Sequence, residues 1–336
     1  MAQFFILADK KVSHRIPEVV KSQSLELSSD SPTLLIDASE ENKSLATIES
    51  IWEFLFANGA TRNDTLVNIG GGVVCDLGGF AASTYKRGMS FIQVPTTLLS
   101  MVDAAHGGKS GFNYRGVKNS IGLIRQPKEV HIYKEWLETL PEEELLSGYG
   151  EIIKCALLEN EETFYGVLAA LEDREYSRYI DMAIGVKRRI VEADPDEKGL
   201  RKVLNLGHTV GHAIEAAWQN GRGSERSSTG QKGSGVRHGY CVVWGLVAAM
   251  YLSVVKLGLD KKYLSALSHT MIEYYGRPKC NCKDYELLLQ LMQQDKKNIR
   301  AGEVAFTLVQ KIGNPVINEV ALEREIKESL DYLFSL

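Results

Sequence analysis

The sequence predicts two domains: an α/β domain built on a parallel sheet over residues 1–140, then a mostly α-helical domain over residues 141–336. Three observations carry this. Strand-like and helix-like patterns alternate along the first part, which argues for a parallel sheet with crossover helices. One of those strands, "DTLVNIGGG", runs straight into glycines. Beyond Pro141 the apolar spacing is almost everywhere helical.

The elements follow in order. "QFFILAD" reads as a strand and "VSHRIPEVVKS" as a loop leading into a helix. "PTLLID" is a second strand. "LATIESIWEFLFANG" has apolar residues at helical spacing and stops at Gly59, a good C-terminal signal. "DTLVNIGGG" and "FIQVPTTLL" are further strands, the second closed by a proline turn. In the second domain "PEEELLSGYGEIIKCALL", "SRYIDMAIGVKRRIVEAD", "HTVGHAIEAAWQ", "YCVVWGLVAAMYLSVVKLG", "YELLLQLMQQDKKN" and "ALEREIKESLDYLFSL" read as helices. The Gly- and Ser-rich run from Asn220 to Arg237 has almost no apolar residues and is expected to be a mobile loop.

With 336 residues, 44% of them hydrophobic, the chain can bury a large core. A net charge of −4 gives no reason to expect nucleic acid or an anionic membrane as partner. "MAQFFILADKK" is too short in its apolar run, and has the wrong charge order, for a signal peptide. "CVVWGLVAAMYLSVV" falls short of the about 20 residues that span a bilayer and reads as a buried helix. Five mostly isolated cysteines fit a reducing cytoplasm better than a disulfide framework. Cys280 and Cys282, with no second pair near them in sequence, read as surface thiols rather than half a metal site.

Several clusters carry possible chemistry. Gly70, Gly71 and Gly72 follow a strand and precede a helix, so they form either a diphosphate cradle or a plain tight turn. Asp76 just after them is a cap or a ligand contact. "DAAHGGKSGFNYRGVKNSIG" sets Asp103, Lys109, Lys118 and Asn119 in a glycine-rich loop, which suits a phosphate or carboxylate but also a solvated surface. Arg87 is an anion clamp or a surface charge. Glu151 and Lys154, at i and i+3, form an ion pair whose small apolar flanks suggest partial burial. Lys187 alone reads as solvated. Arg201, Asn205, His208 and His212 follow at near-helical spacing, with His238 beyond the low-complexity run. The histidines could ligate zinc, but HExxH is absent, because Thr209 follows His208.

Three long blocks now add up to a resemblance. "IGGGVVCDLGGFAASTYKRGMSFIQVPTTLLSMVDAAHGGKSGFNYRGVKNSIGLIRQPKEV", "LETLPEEELLSGYGEIIK" and "GLRKVLNLGHTVGHAIE" resemble the 3-dehydroquinate synthase family, over nearly the whole chain. The resemblance implies a dehydroquinate synthase-like fold, with a Rossmann-like NAD-binding domain followed by a helical domain that binds metal and substrate. It implies a cytoplasmic, homodimeric enzyme of the shikimate pathway acting on a small sugar phosphate. That enzyme converts 3-deoxy-D-arabino-heptulosonate 7-phosphate to 3-dehydroquinate and phosphate. NAD and a divalent metal, zinc or cobalt, serve as cofactors with no net redox change.

Residue roles follow from the same resemblance. Glu151, His208 and His238 match metal ligands. Arg87, Lys109, Asn119, Lys154, Lys187, Arg201, Asn205 and His212 match substrate contacts, with Lys296 or Lys297 of the DKK motif added. His212 is placed at the phosphate rather than on the metal. Gly71 and Gly72 match diphosphate contacts of NAD, and Asp76, Thr96, Thr97, Asp103, Lys118 and Thr139 match further cofactor contacts. Glu40 and Lys43, with Asp9, are assigned to the adenosine end. The chain departs from the pattern at Tyr240, where the family usually has the glutamate of His-Gly-Glu, and at His106, where a small apolar residue is usual. Loss of the glutamate implies a changed surrounding for the third ligand.

Overall fold

A computed structural model describes residues 3–17, 25, 27–28, 30–218, 236–294 and 303–336. The chain divides into two compact units, Met1–Pro141 and Glu142–Leu336.

Unit 1 runs β1 (Phe4–Asp9), β2 (Thr33–Ile36), α1 (Leu45–Ala57), β3 (Thr65–Gly70), α2 (Gly72–Thr84), β4 (Ser90–Pro95), β5 (Lys109–Tyr114), β6 (Val117–Ile124) and β7 (Glu129–Val130). Five strands form one parallel sheet in the order β2-β1-β3-β4-β7. All six residues of β3 are buried, as expected for a strand covered on both faces. α1 begins at the N-cap Ser44 and buries Ile48, Ile51 and Leu55, one apolar stripe. Each such side chain contributes about 1.5–3 kcal/mol on burial. The helix gives way at Gly59, whose φ of +73° a side chain would resist. "VSHRIPEVVKS" begins with a 3-10 turn, Lys10–Arg15, and most of its remainder lies outside the described residues.

The glycine-rich stretch read as a loop is in fact an antiparallel hairpin, β5–β6. Its turn residues Arg115 and Gly116 have φ of +49° and +78°. Two consecutive positive φ values match the twist of the flanking strands.

Unit 2 runs α3 (Glu142–Glu159), α4 (Glu161–Glu172), α5 (Ile180–Ala193), α6 (His208–Ala217), α7 (His238–Leu257), α8 (Lys261–Thr270), α9 (Tyr285–Gln293), β8 (Val304–Lys311), β9 (Asn314–Ala321) and α10 (Glu323–Ser335). α7 extends past the apolar stretch seen in the sequence to 20 residues, long and apolar enough by length and composition to cross a bilayer. Here it is a core helix, packed against α3, α6, α8, β8 and α10, with residues such as Cys241, Val242, Leu246 and Met250 fully buried. The β8–β9 hairpin is an addition to the expected helical half, and Gly313 N donates to Leu157 O at 2.9 Å, tying its turn to α3. Most of the run from Asn220 to Arg237, and both Lys296 and Lys297, lie outside the described residues.

Candidate active site

In unit 1, β1 lies between β2 and β3, so the order of strands reverses at the β1–β3 pair. Ligands of open parallel sheets bind beyond the carboxyl ends of the strands at such a reversal. Asp9 ends β1 and Gly70 ends β3, next to each other in register after the Ala8–Ile69 pair. Gly71 caps α2, a 13-residue helix that opens at Gly72. A helix N-terminus presented by a glycine turn at this point suits a diphosphate. The turn is braced from below: Thr96 N donates to Gly70 O at 2.9 Å, and a Cβ on Gly71 would lie 3.2 Å from Thr97 Cγ2. Thr97 is in turn bonded to Ser100 at 2.8 Å, ahead of Asp103 in the π-helical turn Ser100–Ala104.

A second group joins residues that the resemblance assigns to different ligands. The buried ammonium of Lys43 lies 2.5 Å from Asp76 Oδ2 and 2.5 Å from Asn119 Oδ1. Burial pushes the Asp76 carboxyl above its ordinary value, with Lys43 working against it. Glu40 accepts from Asn113 Nδ2 at 2.8 Å and pairs with Lys118 at 3.8 Å. Asp76, Lys109 and Asn119 line one cleft of about 320 Å³ in this unit. Among the other candidates, Asp9 accepts from Lys11 N, Thr139 Oγ1 accepts from Arg15 Nη1 at 2.9 Å, and exposed Arg87 has a φ of +67°. His106 Nε2 sits 2.9 Å from Met101 O.

In unit 2 the helices that carry the candidate ligands touch through their backbones. Gly150 precedes Glu151, and a Cβ there would fall 2.6 Å from Gly239 O, beside His238. Gly207 precedes His208, and a Cβ on Gly245 of α7 would fall 1.8 Å from Gly207 O. Small residues beside each functional one thus let α3, α6 and α7 close up, which brings together side chains far apart in sequence.

The result is a cluster of a carboxylate and three imidazoles. Glu151 Oε1 lies 3.4 Å from His208 Nε2 and 3.4 Å from His238 Nε2. Nitrogens of His208, His212 and His238 all fall within 4.8 Å of one another. Glu151 is 1% exposed and ion-paired with Lys154, yet neither of its oxygens has a hydrogen bond of good geometry. Burial opposes its charge, but Lys154, His208 and His238 hold its carboxyl well below the usual range. A buried, charged carboxylate facing two ring nitrogens is an arrangement that a divalent cation completes, and nitrogen with oxygen donors suits zinc or cobalt. His212 is exposed, one turn beyond His208 with rings 5.0 Å apart.

Three cationic side chains among the described residues of this unit are buried, and one of them, Lys154, pairs with Glu151. Lys154, Lys187 and Arg201 are all buried, so Lys187 is not the solvated charge that its helix alone suggests. Arg201 is set by its turn: Asp194 Oδ2 accepts from Gly199 N at 2.7 Å and Arg201 N at 3.0 Å, while Arg201 Nη1 donates to Pro195 O at 2.8 Å.

Two glutamates escaped the reading of the sequence. Glu197, with φ of +59°, lies 3.5 Å from Asn205 Nδ2. Glu215 Oε2 lies 3.1 Å from His238 Nδ1. The carboxylate at His238 Nδ1 therefore comes from α6, while Tyr240 stacks edge-on against Tyr275 with ring centroids 5.1 Å apart. The signal for Glu215 was helical spacing: 208, 212 and 215 form one stripe.

Residues 33–147 match the 3-dehydroquinate synthase N-terminal family and residues 148–298 the 3-dehydroquinate synthase C-terminal family. The chain belongs to the 3-dehydroquinate synthase family. A 3-dehydroquinate synthase of Parabacteroides distasonis is 38% identical over 334 residues, covering 98% of this chain and 91% of that protein. A 3-dehydroquinate synthase of Clostridium tetani is 36% identical over 304 residues, covering 87% of this chain and 76% of that protein. Among solved structures, a 2-epi-5-epi-valiolone synthase from Streptomyces hygroscopicus with NAD+ and Zn2+ bound has a TM-score of 0.80 at 24% identity, covering 99% of this chain and 91% of that one. A 2-deoxy-scyllo-inosose synthase complexed with carbaglucose-6-phosphate, NAD+ and Co2+ has a TM-score of 0.78 at 22% identity, covering 98% and 90%. These last two likenesses establish that the dehydroquinate synthase-like fold extends over both units.

Proposed function

We propose that this chain converts 3-deoxy-D-arabino-heptulosonate 7-phosphate to 3-dehydroquinate and phosphate. Besides family membership, the observation that carries this is the Glu151–His208–His238 cluster, with Lys154 paired to Glu151 and Lys187 and Arg201 buried in the same unit. A substrate bearing a phosphate and a carboxylate needs that concentration of positive charge.

Glu151, His208 and His238 would hold a divalent metal. Gly71 and Gly72 would receive the diphosphate of NAD, and Asp76, Thr96, Thr97, Asp103, Lys118 and Thr139 would contact the rest of it. Glu40, Lys43 and Asp9 would reach its adenosine end. When bound, NAD supplies transient oxidation of a ring alcohol and its later re-reduction, and the metal polarises that alcohol.

The remaining residues bind and orient. Lys154, Lys187, Arg201, Asn205 and His212 would fix the phosphate and carboxylate, aided by Arg87, Lys109, Asn119 and one of Lys296 and Lys297. Elimination beside a ketone needs little general-base power when the leaving phosphate takes the proton itself. Selecting the reactive conformer is then the main work of these side chains. The pathway is that of aromatic amino acid biosynthesis, and we assign the enzyme to the cytoplasm as a homodimer. The described cysteines are all free thiols, which supports a reducing compartment.

The test supplies substrate, NAD and zinc, then follows phosphate and NADH. Phosphate release with catalytic NAD and no lasting NADH is expected. NADH accumulating in step with substrate would indicate a dehydrogenase, and no phosphate under any divalent metal would overturn the reading.

A further inference from the structure

Both histidines that approach Glu151 are held from behind, and in different ways. His208 Nδ1 lies 3.1 Å from Leu206 O, and His238 Nδ1 lies 3.1 Å from Glu215 Oε2. A carbonyl and an ionised carboxylate can only accept, so each Nδ1 carries a proton and Nε2 is the nitrogen that would turn to a metal ion. Those two Nε2 atoms converge on the same oxygen of Glu151, each at 3.4 Å.

We propose that Glu215 is a positioning residue for the metal centre, acting through His238; the inference rests on the metal reading of that cluster. His238 is the first residue of α7, where a helix has no preceding turn to hold a side chain. It is braced from two sides. Arg237 pairs with Glu143 at 2.7 Å and Glu144 at 3.0 Å on α3. Glu215, 8% exposed, reaches His238 from α6, the helix that also bears His208 and His212. One helix thus supplies a ligand directly and orients a second ligand that belongs to another helix. A carboxylate behind a ligating imidazole fixes its tautomer and raises its basicity, and loss of such a partner typically costs about 10–100-fold in metal affinity.

The experiment titrates the full chain with Co2+, reading affinity by calorimetry and geometry by the visible absorption bands. Glu215→Gln keeps an acceptor for Nδ1 but loses the charge, so affinity should fall about 10-fold with the bands retained. Glu215→Ala should fall further, toward about 100-fold, with altered bands. His208→Ala is the control that abolishes the site. Wild-type affinity and bands in both Glu215 variants would overturn the inference while leaving the metal reading intact. Should Glu215→Ala fail to fold, Glu215→Gln alone decides: unchanged affinity overturns the inference. Wild-type protein that binds no Co2+, or that binds it no better than His208→Ala, would sink the metal reading itself, and the inference with it.

Discussion

The carboxamide of Asn68 occupies the space that a side chain on Gly78 would need: a Cβ there falls 1.9 Å from Asn68 Oδ1. Asn68 is fully buried in β3, and neither atom of its amide has a hydrogen-bond partner among the described residues. Strand and helix are therefore matched in shape rather than by bonding. Gly78→Ala should destabilise by about 1–3 kcal/mol through overpacking. Asn68→Ala should cost less, since it removes an unbonded buried amide. The double variant should recover part of the Gly78→Ala loss, giving a coupling above about 1 kcal/mol in urea unfolding. Additive effects would show that the two residues do not compete for space.

Asp64 sets an acid limit on unit 1. Its carboxylate accepts from Gln3 N at 2.7 Å, Thr61 N at 2.7 Å and Thr61 Oγ1 at 2.8 Å. Burial opposes ionisation, but these donors win and lower its pKa. A carboxyl depressed in the folded state stabilises above its unfolded value of about 3.9, and that contribution is lost as pH falls further. Asp64→Asn should cost about 1.5–3 kcal/mol at pH 7. The gap to wild type should narrow below about pH 4. A constant gap from pH 7 to pH 3 would contradict the assignment.

His208→Ala should abolish metal binding, whereas His212→Ala should keep the metal and weaken phosphate handling, seen as a raised KM for the sugar phosphate. Glu151→Gln should behave like His208→Ala. Equal metal loss in the His208 and His212 variants would place His212 on the metal, as the proximity of all three rings allows. Chelation of wild-type protein should lower its Tm; at metal held 100-fold above Kd the bound ion stabilises by about 2.7 kcal/mol.

Glycine substitutions should divide by location. A Cβ on Gly239 falls 1.8 Å from Ser147 O, a backbone atom that cannot swing away. Gly239→Ala should cost 3 kcal/mol or more, roughly the upper end for overpacking, and loosen Co2+ binding with it. Gly185, in the middle of α5, has nothing within 4 Å of its added Cβ. Gly185→Ala should stabilise by about 0.5–1 kcal/mol in thermal melts, through helix propensity alone.

The regular elements were legible because periodicity is local: the stripe Ile48, Ile51, Leu55 and the all-apolar core of β1 announce their states directly. The hairpin β5–β6 was not, because its glycines and lysines imitate a loop and Phe112 is its one buried apolar side chain. β8–β9 left a signal in "VAFTLVQKIGNPVINEVA", a β-rich run broken at Gly313, which the helical character of its surroundings obscured. At the site, His208 and His212 were legible as neighbours on one face. Their meeting with Glu151 and His238 depends on helix approach at Gly150, Gly207 and Gly239, which no local pattern encodes. Lys154 and Lys187 show the same limit, since burial of a lysine is decided by what packs over it.

The strand order has a consequence for biosynthesis. β1 lies inside the sheet, between β2 and β3, yet the ribosome makes it before either neighbour. At about 5–20 residues per second, the interval before β3 emerges is several seconds. Until then the edge of β1 that β3 covers has no partner, although β2 is already made. The inner strand therefore finds its second neighbour only when the strand bearing the glycine turn arrives.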